Sequence, residues 1–317
     1  MAYDNEIFSY NALQTFISEI RNPVLDELFS IVRSKNLEVI MQQLHLLTRL
    51  IQMFGNNAEL IDRIIEADNL LRVGLVDAVK SLHPDHVFQI AEGQINSCHQ
   101  FLEPYMAYGS NIFTTNYDIL LYWTLMRGGA RSAVDGFGYE MINPGEEDPD
   151  LQQWEDTLTW GPNVSTQNVH YLHGALHLFD NGIDIEKEAY DGQQFLLDLI
   201  KERMDREEYP VFVTAGDGKE KLSQIMHNKY LAHCYKALSS ITGSLVVFGF
   251  NFGKYDEHII EAINSAAHHG RRTGDKLFSI YIGTYSQADV EYIESIRNEF
   301  KCKVRVYDSK SVNIWGK

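Results

Sequence analysis

Apolar residues in the first third of the chain recur at a helical interval. Those between Asn36 and Phe54 lie on one face of a helix: Leu37, Ile40, Leu44, Leu47, Ile51 and Phe54. The stretches 60–82 and 87–102 repeat this spacing. The pattern therefore predicts an α-helical module over residues 1–107.

The pattern changes at residue 108, after which short apolar runs alternate with helical stretches. The runs are rich in β-branched and aromatic residues, as buried strands are, and span 111–115, 169–172, 211–213, 245–248, 278–282 and 304–307. Helical spacing returns at 220–238, 256–267 and 287–300. This alternation is typical of parallel sheets, so we expect residues 108–317 to form a Rossmann-like α/β domain with a doubly wound, mostly parallel sheet.

The segment 143–168 fits neither pattern. It contains six acidic residues, three prolines and two tryptophans, and it has no lysine or arginine. Such a composition predicts a long loop, inserted at about residues 140–168. Because long loops in compact domains are usually functional or mobile, we expect a mobile cover near the strand ends.

Charge and cysteine content exclude several classes of protein. The chain has 27 basic and 44 acidic residues, a net charge of −17, and no basic cluster, which argues against extended contact with nucleic acid. Cys98, Cys234 and Cys302 are too few and too dispersed for a disulfide framework or a four-cysteine zinc site. No apolar run is long enough to span a membrane, and the start lacks a signal-peptide pattern. We therefore expect a cytoplasmic protein without membrane contact.

Polar residues follow the first two predicted strands, where ligands bind in parallel α/β domains. The first strand leads into Thr114-Thr115-Asn116-Tyr117-Asp118, in which Asn116 or Asp118 can alternatively just cap the next helix. The second strand leads into His173-Gly174. A glycine directly after a histidine lets a ligand or another backbone approach the imidazole closely.

Glycine-containing turns follow two later strands. The fourth strand runs into a turn with Gly249 and Asn251, and Asp256 then precedes a helix. A strand, a turn and a helix N-terminus in this order suit an anionic or ribose-bearing ligand. Gly283 follows the fifth strand and is another candidate for lining a ligand. Neither turn is a Walker loop or a GxGxxG fingerprint.

A metal site is an alternative interpretation of His170, His173 and His177. On a helix the three residues would share a face, but the apolar neighbours of His170 favour a strand. On a strand His170 and His173 point to opposite faces. No carboxylate follows at the spacing of a zincin motif, so we expect no metal here.

Three of these elements, in this order, resemble the sirtuin superfamily. Residues 114–118 resemble its Thr-Gln-Asn-Ile-Asp element, and His173-Gly174 resembles its catalytic His-Gly. Gly249 to Asn251, followed by Asp256, resembles its nucleotide-binding Gly-Ser/Thr-Ser turn. The resemblance covers about residues 109–285. It is closest to prokaryotic sirtuin-like proteins that consume NAD, several of which act in phage defence.

The resemblance implies a bacterial NAD hydrolase (NADase) that cleaves the nicotinamide–ribose bond, with NAD or a related nucleotide as its substrate and a role in antiviral defence. His173 would accept a proton, Asn116 would orient water or a ribose hydroxyl, and Asp118 would hold a loop or interact with the developing cation. The residues implied to contact NAD are Thr114, Thr115, Gly249, Asn251, Asp256 and Gly283. A homo-oligomer or a partner protein of a defence system is also compatible with the resemblance.

Two features of the sirtuin superfamily are missing from this sequence. The four-cysteine zinc module cannot form, which disfavours protein deacylation. The Gly-rich loop after the first sirtuin strand is also missing, because the chain begins at Met1-Ala2-Tyr3-Asp4, about where that loop should have ended. Either the strand and loop were lost, or the start lies downstream of the true one. A catalytically impaired nucleotide-binding module that acts through protein partners therefore stays an alternative.

The order of the motifs also predicts their geometry. If the sheet is doubly wound, Asn116, His173 and the turn at Gly249 open into one cleft. We expect the side chains of Asn116 and His173 to lie within roughly 10 Å of each other, close enough to share one ribose.

Overall fold

The computed structural model of this protein describes residues 23–32, 37–55, 57–146, 148–190, 193–206, 208–213, 217–253, 255–268 and 276–315. The chain divides into two compact units. The first unit contains residues up to Asp85 together with 213–221, and the second contains His86–Phe212 and 222–317. Met1 to Asp4, on which the expectation about the Gly-rich loop rests, lie outside the described residues.

The first unit is helical, as its apolar spacing predicts. Its helices are α1 (Pro23–Val32), α2 (Leu37–Phe54) and α3 (Ala58–Leu82), and α2 packs against α3. The predicted face of α2 is buried only in its first half, since Ile40 and Leu44 are buried but Leu47 is 44% and Phe54 78% exposed. No helix within the described ranges combines the length and the apolar composition that a membrane crossing needs.

The second unit mixes helices and strands. It begins with α4 (Glu92–Ala107), β1 (Ile112–Thr114) and α5 (Leu120–Arg127). The following elements are β2 (Phe137–Met141), β3 (Trp154–Trp160), β4 (Val169–Tyr171), β5 (Gly174–Asp180), β6 (Ile185–Lys187), α6 (Leu196–Asp205), β7 (Pro210–Phe212), α7 (Gly218–His227), α8 (Lys229–Leu238), β8 (Gly243–Val247), α9 (Glu257–His268), β9 (Leu277–Thr284), α10 (Gln287–Ile296) and β10 (Lys303–Asp308). Helix α7 begins in the first unit and ends in the second.

Two of the sheets are parallel, as the alternation of strands and helices predicts. Strand β1 pairs with β4, with Thr114 opposite Tyr171. Strands β8, β9 and β10 form a three-stranded parallel sheet in the order β10-β9-β8. Helices α9 and α10 connect these strands, because a parallel pair needs a long crossover.

The third sheet is antiparallel, with the strand order β2-β3-β6-β5-β7. The expectation of a mostly parallel sheet is therefore wrong for this part of the chain, including the strand predicted at 211–213. Short connections such as the one between β5 and β6 can only return the chain in the opposite direction. The fold is mixed α/β, with two parallel sheets and one antiparallel sheet.

The prediction of a long loop at residues 140–168 is also wrong. Strands β2 and β3 form a hairpin within it, with Met141 opposite Trp154. At its tip the Asn143 side chain donates to the Leu151 carbonyl (3.0 Å) and accepts from the backbone N–H of Gln153 (2.8 Å). No residue of β3 is buried, and Glu155 and Asp156 interrupt its apolar positions, so the sequence does not mark it as a strand.

Candidate functional site

The chain segments that follow β1 and β4 lie side by side. Because the two strands are parallel neighbours, their carboxyl ends share one edge. The backbone carbonyls of Thr114 and Tyr117 accept hydrogen bonds from the N–H groups of Leu172 and Leu176, each at 2.8 Å. These bonds place the polar segment after β1 beside His173.

Asn116 and Asp118 are linked within that polar segment. The Asn116 backbone N–H donates to Oγ1 of Thr114 at 3.1 Å, and its side chain donates to the Asp118 carboxylate. Asp118 is buried, and its Oδ1 accepts from the backbone N–H of Leu120 at 2.9 Å, in the first turn of α5. Asp118 thus satisfies the first N–H of α5 from one residue before the N-cap, Ile119, and it also orients the exposed Asn116.

Burial raises the pKa of Asp118 from 3.8 to about 6, against the opposing effect of its hydrogen bonds. Since the ionised form is disfavoured in the folded state, stability falls as pH rises through this interval and stays low above pH 6. Such a shift corresponds to about 3 kcal/mol. Asp118→Asn removes the charge but loses a hydrogen bond from Asn116 worth about 1 kcal/mol. We therefore expect this variant to be about 2 kcal/mol more stable than wild type at pH 8.

Urea unfolding of both proteins between pH 4 and pH 8 tests this expectation. The order of stability should reverse near pH 4, where the wild-type carboxyl group is protonated in the folded state and only the lost hydrogen bond, worth about 1 kcal/mol, separates the two proteins. Asp198→Asn, at an exposed position of α6, is the matched control for the loss of one carboxylate. A stability difference of the same size at both ends of the pH range would contradict the assignment.

His173 lies between β4 and β5 and is only 4% exposed. Its Nε2 lies 2.8 Å from Nε2 of His258, and the two rings stack with centroids 5.1 Å apart. At this distance one imidazole donates a hydrogen bond and the other accepts it. The Tyr117 ring also stacks on His173, with centroids 6.4 Å apart. No motif in the sequence pointed to His258.

His258 and Asp256 reach His173 from the start of α9. His258 is completely buried in the first turn of this helix, and its backbone carbonyl accepts from the Tyr235 hydroxyl at 3.1 Å. A ring nitrogen of His173, a ring nitrogen of His258 and a carboxylate oxygen of Asp256 all lie within 4.8 Å of one another. We call these three residues the His–Asp cluster. An Asp-x-His pair at a helix start is the sequence signal that could have revealed it.

The turn between β8 and α9 brings Asn251 close to the cluster. A methyl group on Gly253 would lie 3.4 Å from Oδ2 of Asp256 and 3.8 Å from Oδ1 of Asn251, so both oxygens border the same small volume. Among the described residues of this turn, Gly249 at 69° and the buried Phe252 at 54° have positive φ. Gly249 tolerates this backbone conformation without strain, whereas Phe252 is held in it by its packing.

Gly283 has a structural role that differs from the predicted one. It lies within β9, which continues to Thr284, and not in a turn after the strand. A methyl group there would lie 2.8 Å from the Tyr307 ring and hydroxyl. That hydroxyl donates to the Val247 carbonyl at 2.9 Å. The glycine therefore makes room for Tyr307. Thr115, another residue predicted to contact the ligand, lies half-buried in the segment after β1.

His170 and His177 lie in other environments than His173. Nε2 of His170 is 3.1 Å from Oδ1 of Asn111, and burial, with a contribution from the charge of His233, lowers the His170 pKa to about 3. His177 is buried in β5 and packs edge-on against Tyr171. The histidine that shares a site with His173 is His258 instead.

The glycine after His173 was predicted to admit either a ligand or another backbone. Gly174 allows another backbone to approach. Its φ is 82°, and it lies opposite Phe212 of β7. A Cβ atom at this position would lie only 1.8 Å from the carbonyl oxygen of Val211. Strand β7 therefore pairs with β5 directly beside His173 only because residue 174 lacks a side chain.

The protein is thus a mixed α/β protein with a polar site assembled from two strand ends and a helix start. The chain matches, over residues 1–315, the family described as a domain of unknown function (DUF4917), and it belongs to that family. No curated protein and no solved structure matches the chain.

Proposed function

We propose that the protein hydrolyses NAD at the bond between nicotinamide and ribose, releasing nicotinamide and ADP-ribose. The observation that carries this proposal is the meeting of two chain segments at the shared edge of β1 and β4. One contains Asn116 and the other contains His173. In this proposal the parallel strands belong to a Rossmann-like nucleotide-binding fold, and the sirtuin resemblance supplies the class of substrate.

The reaction needs a positioned water and one proton acceptor. The C1′–N bond breaks with its electron pair passing to nicotinamide, which leaves as a neutral molecule. Water then attacks the oxocarbenium-like ribose and loses a proton. His173 accepts this proton, and the buried His258 holds its ring in place. Asn116, fixed by Asp118, orients the water or a ribose hydroxyl.

In this proposal, the charge of each remaining residue determines which part of NAD it contacts. The Asp256 carboxylate accepts hydrogen bonds from ribose hydroxyls, because it would repel the pyrophosphate. Asn251, which borders the same volume, can donate to or accept from the sugar. Thr114, Thr115 and the turn at Gly249 complete the NAD contacts in this proposal. Gly283 is not included, because Tyr307 covers it.

Incubation of the purified chain with NAD tests the proposal. We expect equimolar nicotinamide and ADP-ribose, with the oxygen of ¹⁸O-labelled water appearing at C1′ of the ribose. NADH is the matched control, because dihydronicotinamide is a poor leaving group and should not be released. Nucleotide binding without products would favour a binding module that acts through partners. Nicotinamide release only with an acyl-lysine peptide would favour deacylation. Neither binding nor cleavage would contradict the proposal.

A further inference from the structure

We propose that the His–Asp cluster binds one divalent first-row transition-metal ion. Two imidazole nitrogens and a carboxylate oxygen form a donor set that suits Zn²⁺, Fe²⁺, Co²⁺ or Ni²⁺ better than Mg²⁺ or Ca²⁺, which prefer oxygen ligands. All three donor atoms lie within 4.8 Å of one another. The proposal goes beyond NAD hydrolysis and does not depend on it.

The spacing of the two imidazoles is close to that of a chelated ion. Two nitrogens bound at about 2.1 Å are about 3.0 Å apart in adjacent octahedral positions and about 3.4 Å apart in tetrahedral ones. The Nε2 atoms of His173 and His258 are 2.8 Å apart. A movement of a few tenths of an ångström therefore converts the hydrogen-bonded pair into a pair of metal ligands.

When an ion binds, it takes the place of the proton between His173 and His258, and the two imidazoles keep the same total number of protons. A neutral imidazole has one N–H and one lone pair, so one Nε2 of the hydrogen-bonded pair carries hydrogen. The ion needs a lone pair on both Nε2 atoms, and the donor ring supplies it when its proton moves to Nδ1. The Asp256 carboxylate then offsets part of the charge of the ion.

The three ligands differ in their exposure to solvent, and the site is accessible beside Asp256. His173 and His258 are buried, and their positions are fixed by β4, β5 and α9. Asp256 is only partly buried, so an ion can enter beside it. Three protein ligands also leave coordination positions for water or a ligand, as in catalytic metal sites.

A bound ion would regulate the proposed hydrolysis, and this consequence alone rests on the proposed function. With the ion on Nε2 and the ring proton on Nδ1, neither nitrogen of His173 can accept a proton from water. Metal-loaded protein should accordingly cleave NAD more slowly than metal-free protein.

Titration of the chelator-treated full chain with Co²⁺ tests the site without NAD. We expect a visible d–d absorption band that saturates at one ion per chain and disappears when Zn²⁺ is added. Asp256→Asn and His258→Gln should each weaken Co²⁺ binding at least about 10–100-fold, the loss seen when even the supporting shell of a metal site is removed. His227→Gln removes an exposed histidine of α7 and should bind Co²⁺ like wild type.

Two results would overturn the metal site: no saturable band at one equivalent, or unchanged affinity in both cluster variants. Circular dichroism confirms folding, and the partly exposed Asp256 makes Asp256→Asn informative even if His258→Gln does not fold. Because Co²⁺ binding is read without NAD, a protein that binds Co²⁺ but leaves NAD intact in its metal-free form contradicts only the proposed function. A protein that cleaves NAD but binds no ion contradicts only the metal site.

Discussion

His173→Gln is expected to lower NAD cleavage about 10²–10⁴-fold while the fold remains intact, because it removes the proposed proton acceptor. The glutamine amide extends about as far from the backbone as Nε2 of histidine, so it can keep a hydrogen bond to His258. It has no titratable nitrogen, and only the proton transfer is lost. Asn116→Ala should cause a loss in the same range, since it removes the group that orients water or ribose. Initial rates of nicotinamide release measure both effects.

His170→Gln is the matched control for this experiment. His170 is also a buried imidazole, and it lies in β4 with hydrogen bonds to Asn111 and Gln167 and none to the His–Asp cluster. This control should keep wild-type cleavage. If His173→Gln cleaves NAD at the wild-type rate, the assignment of His173 fails.

Gly174→Ala is expected to destabilise the second unit by roughly 2–6 kcal/mol, and this range combines two independent costs. A residue with a side chain at φ of 82° costs about 1–3 kcal/mol. The new Cβ would also lie 1.8 Å from the Val211 carbonyl oxygen, and relieving this clash costs about 1–3 kcal/mol or more. Strand β7 must separate from β5, so His173 is displaced as well. Thermal unfolding and nicotinamide release should both report the loss.

Gly182→Ala separates these two costs. Gly182 has a φ of 88°, but a methyl group there would meet no atom within 4 Å. This variant should show the conformational cost alone and keep its activity. Equal stability losses in the two variants would show that the approach of Val211 is not the reason for Gly174.

The elements that could be predicted from the sequence are those marked by a helical spacing or by a run of β-branched and aromatic residues. The spacing of Ile40 and Leu44 predicts α2, and the alternation of strands and helices predicts the parallel pairing of β1 with β4 and of β8 with β9. Strand β5 was missed because it contains no β-branched residue and its first six residues are all buried, so neither periodicity appears. Strand β3 was missed because two adjacent acidic residues interrupt its apolar positions.

The only site residues that could be predicted from the sequence are those that follow a recognisable strand. Asn116 and His173 each follow a recognisable strand, and the parallel pairing of these strands brings their segments together. His258 follows a turn and contacts a histidine 85 residues away, a pairing that no local pattern encodes. Gly283 was predicted to follow its strand but lies within it, because the sequence does not show that β9 continues to Thr284.

The separation of the cluster residues along the chain also determines when the site can form. Closing the 85-residue loop between His173 and His258 costs about 4 kcal/mol of chain entropy before their contact can stabilise anything. Such non-local contacts form slowly, whereas α1, α2 and α3 pack against helices that are close to them in the chain. During refolding, the far-UV signal of the helices should therefore recover before Co²⁺ absorption does. On the ribosome, a nascent chain that has emerged only as far as β7 contains His173 without its partners, and the site is completed only after α9 has left the exit tunnel.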